Sequence, residues 1–262
     1  MPYRSDFLND VSQMQCIAVM AAMQEEEFAL TDGVASINRT IGNRTTCHLK
    51  ELQFEKRKVL VSQSGIGLVN AGVTLTLLSE HYPIDGVILL GVGGALDENL
   101  SIGDTVIATK VIQHDSIATR DHDVIPIAPG ALTLSAPPDQ QVDPIMQCDT
   151  ILTQWLYDTF SRSSDKERIL KGTILSGSEF VGCSERKLKI RTLDNAALLV
   201  DMEAAALCQI SRNLGLPIGI AKTVADTLYP QKTISDDFKT FLSSAARHSH
   251  AVIQGLKALR AA

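Results

Sequence analysis

Leu198-Leu199-Val200-Asp201-Met202-Glu203-Ala204-Ala205-Ala206 passes from an apolar strand pattern into a small-residue helix pattern, with two carboxylates at the change. A second run, Ile218-Gly219-Ile220-Ala221-Lys222-Thr223-Val224-Ala225-Asp226, holds a lysine inside it and an acid at its end. An unpaired buried charge is costly, so charges at the ends of core elements usually have a task there.

Outward from these runs, short apolar stretches rich in β-branched residues recur at Cys16–Met20, Val59–Ser62, Val87–Leu90, Thr105–Ala108 and Gly172–Leu175. Several are continuous rather than alternating, which suits strands covered on both faces. Helical spacing predicts helices over Asn70–His81, Asp149–Phe160, Met202–Leu214 and Asp236–Leu259, with Gly215 and Pro217 stopping the third. Strands alternating with helices predict an α/β fold: a single domain with a mixed, twisted central sheet flanked by helices. Residues 1–15 are expected to form a polar N-terminal extension and residues 16–262 the domain. Five prolines between Arg120 and Pro144 predict one long loop.

A hydrophobic content of 45% over 262 residues is ample for a large core. The net charge of −6 argues against holding nucleic-acid backbone, so a small ligand is the expected partner. Cys16, Cys47, Cys148, Cys183 and Cys208 lack the close pairs of a zinc site or disulfide framework and read as reduced cytosolic thiols. No apolar stretch reaches the roughly 20 residues that span a bilayer, and Met1–Gln15 lacks a signal-peptide centre. Together these features predict a soluble, cytoplasmic protein without a bound metal.

Ser64-Gly65-Ile66-Gly67 and Gly91-Val92-Gly93-Gly94 each follow a predicted strand. Their glycines either let backbone N–H groups approach a ligand or simply make a turn, and neither segment completes a dinucleotide fingerprint. Glu25-Glu26-Glu27 after Met23 is either a solvated helix start or, at a strand's carboxyl end, one or two acids facing a crevice. Glu203 is either an ordinary first-turn acid or an acceptor for a vicinal diol such as ribose. Asp226 is either a helix N-cap or a site acid. Lys222 must point at the site or pair with an acid, and His114 reads as structural rather than catalytic.

In joint order and spacing these segments resemble the purine nucleoside phosphorylase superfamily, most closely its 5′-methylthioadenosine/S-adenosylhomocysteine nucleosidases. The motifs that carry the resemblance are Ala22-Met23-Gln24-Glu25-Glu26, Ser64–Gly67, Gly91–Leu96, Gly103-Asp104, His114-Asp115, Ser176-Gly177-Ser178-Glu179-Phe180, Asp201–Ala206 and Ala225-Asp226. The resemblance implies hydrolysis of the N-glycosidic bond of a 5′-modified purine nucleoside, without cofactor, by a homodimer. It implies Glu26 as the acid that activates water, Glu203 with Met202 as the ribose contact, and Asp226 as proton donor to the purine. Phe180 would stack on the base beside the Val181 backbone, and Met23, Ile66, Gly93, Lys222 and Phe238 would complete the substrate site. Arg120 is expected to face a carboxylate-bearing 5′ substituent.

The phosphorylase branch commonly has an arginine just before the second glycine segment, where this chain has Leu89-Leu90, so water is the expected nucleophile. A phosphorylase, a futalosine-type hydrolase and a nucleoside-binding protein with weak turnover are the alternatives. The hydrolase pattern has Ser at Val92, Arg at Lys222, Asp at Ser178 and Ser at Ala225. Val92 removes a hydroxyl that would help hold water, and Lys222 keeps the charge without the planar fork.

Overall fold

The computed structural model describes residues 10–120, 123–129, 143–163, 167–229 and 249–259. The chain begins with β1 (Cys16–Ala21), α1 (Gln24–Thr31), β2 (Ile37–Ile41), β3 (Cys47–Phe54), β4 (Arg57–Gln63) and α2 (Leu68–His81). It continues with β5 (Gly86–Ala95), β6 (Thr105–Gln113), β7 (Ile117–Arg120), β8 (Asp123–Pro126), β9 (Ile145–Gln147) and α3 (Thr150–Ser163). The last elements are β10 (Ile169–Ser176), α4 (Ser184–Arg191), β11 (Ala197–Asp201), α5 (Ala204–Leu214) and β12 (Ile218–Asp226), then a helical segment over 249–258.

One mixed sheet organises the molecule, in the order β11-β10-β6-β12-β5-β1-β4-β3-β2, with β9 beside β6. The continuous apolar runs have a direct cause: β1 and β5 are covered on both faces. Ala18, Met20, Val87 and Leu89 pack with Leu75 and Leu78 of α2 and Leu207 of α5. Ile17, Val19, Ile88 and Leu90 pack with Leu152, Leu156 and Phe160 of α3 and with Val252 and Leu256. Each fully buried side chain of this size contributes about 1.5–3 kcal/mol, so two-sided coverage leaves no tolerance for polar alternation.

The sheet also curls on itself. The tail of β5 pairs antiparallel with β11, placing Leu199 opposite Ala95 and Val200 opposite Gly94. Glycine permits this approach: a Cβ on Gly93 would lie 2.6 Å from the Val200 carbonyl oxygen. The segment Gly91–Gly94, expected to be a loop, therefore remains strand to Ala95, because its tail finds a partner.

Two other expectations are corrected. The described part of the long loop contains β8, paired with β7 as a two-stranded ribbon; Pro126 ends it opposite Ile117, at an edge where a missing N–H breaks no sheet ladder. The domain also includes residues before 16. Val11 and Met14 are buried, and the Arg57 guanidinium donates to the carbonyls of Ser12, Met14, Leu256 and Leu259, tying that first turn to the last helix.

Candidate active site

The carboxyl ends of β1, β5, β11 and β12 meet where β11 closes onto β5, and there they frame a cleft. It encloses about 880 Å³ of atom-free space, its open mouth included. Ala22, Met23 and Glu26 come from the end of β1 and the start of α1, Val92, Gly93 and Gly94 from β5, and Ile66 from the glycine turn after β4. Val200, Asp201, Met202 and Glu203 come from the β11–α5 junction, Ala225 and Asp226 from the end of β12, and Glu179, Phe180 and Val181 from the segment after β10.

Glu26 alone of the three consecutive acids is buried, because adjacent helical residues point in different directions. Its Oε2 accepts the N–H groups of Ala22 and Met23, each at 2.9 Å, which is the backward reach of a third-position acid in a capping box. Gly91 lies against the other oxygen: a Cβ there would be 3.0 Å from Glu26 Oε1 and 3.2 Å from Lys222 Nζ. Burial pushes the Glu26 carboxyl above its ordinary value, the Lys222 charge and the Met23 N–H oppose this, and Glu203 adds to it.

The β11–α5 junction explains the opening sequence. Asp201 caps the helix, accepting from Glu203 N and Ala204 N, while Ser176 Oγ accepts from Ala205 N at 2.9 Å. Ala204 and Ala205 are fully buried, so the helix start sits tight on the sheet and Glu203 is held at the cleft wall. Glu203 Oε1 accepts the Gly67 N–H at 3.0 Å; Gly67 has φ of 100°, a conformation that favours glycine.

Lys222 is fully buried, 2.9 Å from Asp201 Oδ2 and 3.0 Å from Glu203 Oε2. Burial alone would lower its pKa, but Asp201, Glu203 and Glu26 together outweigh that and hold it above its ordinary value. Expected as a substrate contact, it instead lies behind the wall and organises the acids, because three carboxylates converge on it. Asp226 faces the cleft beside Gly94 and is ion-paired to the fully buried Lys187 of α4.

Met23, Ile66, Gly93, Phe180, Val181 and Met202 all line the cleft with Glu26, Glu203 and Asp226. Phe180 is 71% exposed, an aromatic face open to a ligand. Arg120 ends β7 but its side chain, like Phe238 entirely, lies outside the described residues. His114 is buried with neither ring nitrogen hydrogen-bonded among the described residues, and burial lowers its pKa. It packs on Gly177, while the neighbouring Asp115 accepts the Ser178 N–H at 2.7 Å. Sequence reasoning missed Glu179, the capping role of Asp201, and Lys187, which sits in the charged run Glu185-Arg186-Lys187 that reads as a solvated helix face.

Residues 16–258 match the family model of the phosphorylase superfamily. Over 245 residues the chain is 30% identical to the 5′-methylthioadenosine/S-adenosylhomocysteine nucleosidase of Staphylococcus aureus, covering 92% of this chain and 98% of that protein. The chain belongs to this nucleosidase family. Among solved family structures, the Neisseria meningitidis nucleosidase in complex with methylthio-immucillin-A is 27% identical, with a TM-score of 0.73 over 93% of this chain and 99% of that one. The fold is shared more widely: Helicobacter pylori futalosine hydrolase, at 21% identity, has a TM-score of 0.73 over 92% of this chain and 97% of its own.

Proposed function

We propose that this protein hydrolyses the N-glycosidic bond of a 5′-modified adenosine, 5′-methylthioadenosine or S-adenosylhomocysteine, with water as nucleophile. One observation carries the choice of nucleophile. Glu26, Glu179, Asp201, Glu203 and Asp226 are among the residues that line the cleft, and among the described residues no Lys, Arg or His is. The cations nearest these acids, Lys222, Lys187 and Arg186, are each already paired with one or two of them behind or beside the wall, so among the described residues none lines the cleft to hold a phosphate nucleophile, whereas water needs only a base.

Glycoside cleavage passes through an oxocarbenium-like sugar and needs an acid for the leaving group and a base for water on the opposite face. Glu26 takes the proton from water as its oxygen bonds to C1′. Asp226 delivers a proton toward purine N7, so that the C1′–N9 electron pair leaves on a neutral base. Glu203 holds the ribose diol and offsets the positive charge on the ring. The adenine stacks on Phe180 beside Val181. Met23, Ile66 and Val92 give the 5′ substituent apolar walls, where each dry CH₂ is worth about 0.8 kcal/mol. Arg120 meets the carboxylate of the longer substituent; an unchanged KM for S-adenosylhomocysteine in Arg120→Ala would reject that role.

The test is a nucleoside panel with and without phosphate. Free adenine and reducing sugar at equal rates in both conditions are expected. Sugar 1-phosphate appearing with phosphate would make the protein a phosphorylase, and ligand binding without base release would make it a binding protein.

The working unit is a homodimer. Val69 and Val73, four residues apart on α2, are exposed beside Ile66, and Ile117, Val124 and Ile125 are exposed on the β7–β8 ribbon. Such apolar surface favours cover by a second copy. Sedimentation at micromolar concentration should give twice the chain mass; a monomer would exclude it. No helix among the described residues is long and apolar enough to cross a membrane, and all five cysteines are free, which supports a cytoplasmic location.

A further inference from the structure

Lys187 is a buried cation beside the cleft that the reaction outlined above leaves without a task. It lies on the short helix α4, in a stretch of mean polar character, yet it is fully buried. Its ammonium contacts Asp226 Oδ2 and donates to the Thr227 carbonyl at 2.9 Å. Gly94 is the floor beneath the pair: a Cβ there would be 2.8 Å from Asp226 Oδ1 and 3.2 Å from Lys187 Nζ. One oxygen of Asp226 is thus held by a cation behind the wall, and the residue as a whole lines the cleft. The long arm of Lys187 has been drawn inside, at the cost of its hydration, to reach this carboxylate, with which alone it is paired among the described residues; such a pair is weak evidence of stabilisation, but it holds one oxygen of Asp226 in place.

We propose that Lys187 is a positioning residue for the leaving-group acid: it aims Asp226 at the base and supplies the counter-charge when Asp226 gives up its proton. This rests on the nucleosidase reading given above. Asp226 enters the bond-breaking step as the neutral acid, having taken a proton from solvent while its carboxyl still accepts from Lys187; the C1′–N9 pair then goes to the base, the Asp226 proton goes to N7, and negative charge is left on Asp226. That charge forms against the Lys187 ammonium, so the contact is strongest in the transition state and product complex, where it counts toward kcat. Lys187 does not line the cleft and does not touch substrate.

The experiment compares two substrates that differ only in their need for a proton on the leaving group: 5′-methylthioadenosine and the 4-nitrophenyl glycoside of 5-methylthioribose. Losing a charge-assisted hydrogen bond predicts that Lys187→Met lowers kcat for the nucleoside by about 10- to 100-fold while KM moves by less than about 3-fold. The nitrophenyl substrate, whose aglycone leaves as an anion, should lose far less. Lys187→Arg should recover most of the nucleoside activity, and Lys187→Met should add little in an Asp226→Asn background. If Lys187→Met does not fold, Lys187→Gln takes its place, keeping a donor to Asp226 without the charge, with the same ordering of substrates expected.

Equal losses on both substrates, a raised kcat, or full additivity with Asp226→Asn would overturn the role of Lys187. A wild-type protein that releases no base from any nucleoside would instead overturn the nucleosidase reading, which separates the two failures.

Discussion

Replacing Glu26 with glutamine should trade activity for stability. The side chain is 3% exposed, and burial raises its pKa, so the ionised form that catalysis requires is the form the fold disfavours. Glutamine keeps an acceptor for the two 2.9 Å bonds from Ala22 and Met23 and removes a buried negative charge next to Glu203. Lys222 remains paired with Asp201 and Glu203. Without a base for water, kcat should fall by about 10²- to 10⁴-fold. A gain on the order of 1 kcal/mol from relieving the charge would raise Tm by about 2–4 °C in a chain of this size.

The sign follows from linkage. A carboxyl whose folded-state pKa lies above its unfolded value favours the folded state at pH below the unfolded value, and that contribution is lost as pH rises through the folded value. The Tm advantage of Glu26→Gln should therefore be largest at neutral pH and vanish in acid, where the wild-type carboxyl is neutral in both states. Thermal melts from pH 4 to 8, alongside steady-state release of adenine, measure both halves. A variant that melts lower than wild type at pH 7, or that turns over at the wild-type rate, would refute the reasoning.

The same raised pKa places the acidic limb of kcat/KM above the ordinary carboxylate range, since Glu26 must be ionised to accept a proton; a limb at or below that range in a pH–rate profile would contradict it. Lys222→Met should destabilise the fold by about 3–5 kcal/mol, measured by urea titration, because it leaves Asp201 and Glu203 buried without their shared cation. Phe180→Ala should raise KM by roughly 10-fold or more with little change in kcat or Tm, as a 71% exposed ring stabilises the ligand rather than the core. Gly94→Ala should lower kcat while the protein still folds, since the added methyl meets Asp226 Oδ1 at 2.8 Å and turns the carboxyl from its aim.

The core strands were legible because two-sided burial forces continuous apolar runs, as in Cys16–Ala21 and Ile218–Val224. Helix ends were legible where chemistry marks them: Gly215 adopts the left-handed conformation at the end of α5, and Asp149 accepts from Leu152 N at the start of α3. The edge strand β2 and its neighbour β3 carried no such continuous run. β2 is exposed at four of its five positions, so its sequence, Ile37-Asn38-Arg39-Thr40-Ile41, has no burial to record. The β7–β8 ribbon was hidden by Pro126, which reads as a loop residue unless the strand is known to end a free edge.

The opening motif and the acids at strand ends are local facts, since strand-to-helix junctions and their carboxylates are written in adjacent residues; they were enough to indicate an α/β fold and to mark Glu26, Glu203 and Asp226. Which of those charges meet was decided only in three dimensions. Asp201 and Lys222 are 21 positions apart, Lys187 and Asp226 are 39, and Gly67 and Glu203 are 136, and each pairing depends on where β11 closes onto β5. A buried charge is tolerated only beside its partner, and no pattern along the chain records which partner the sheet will bring to it.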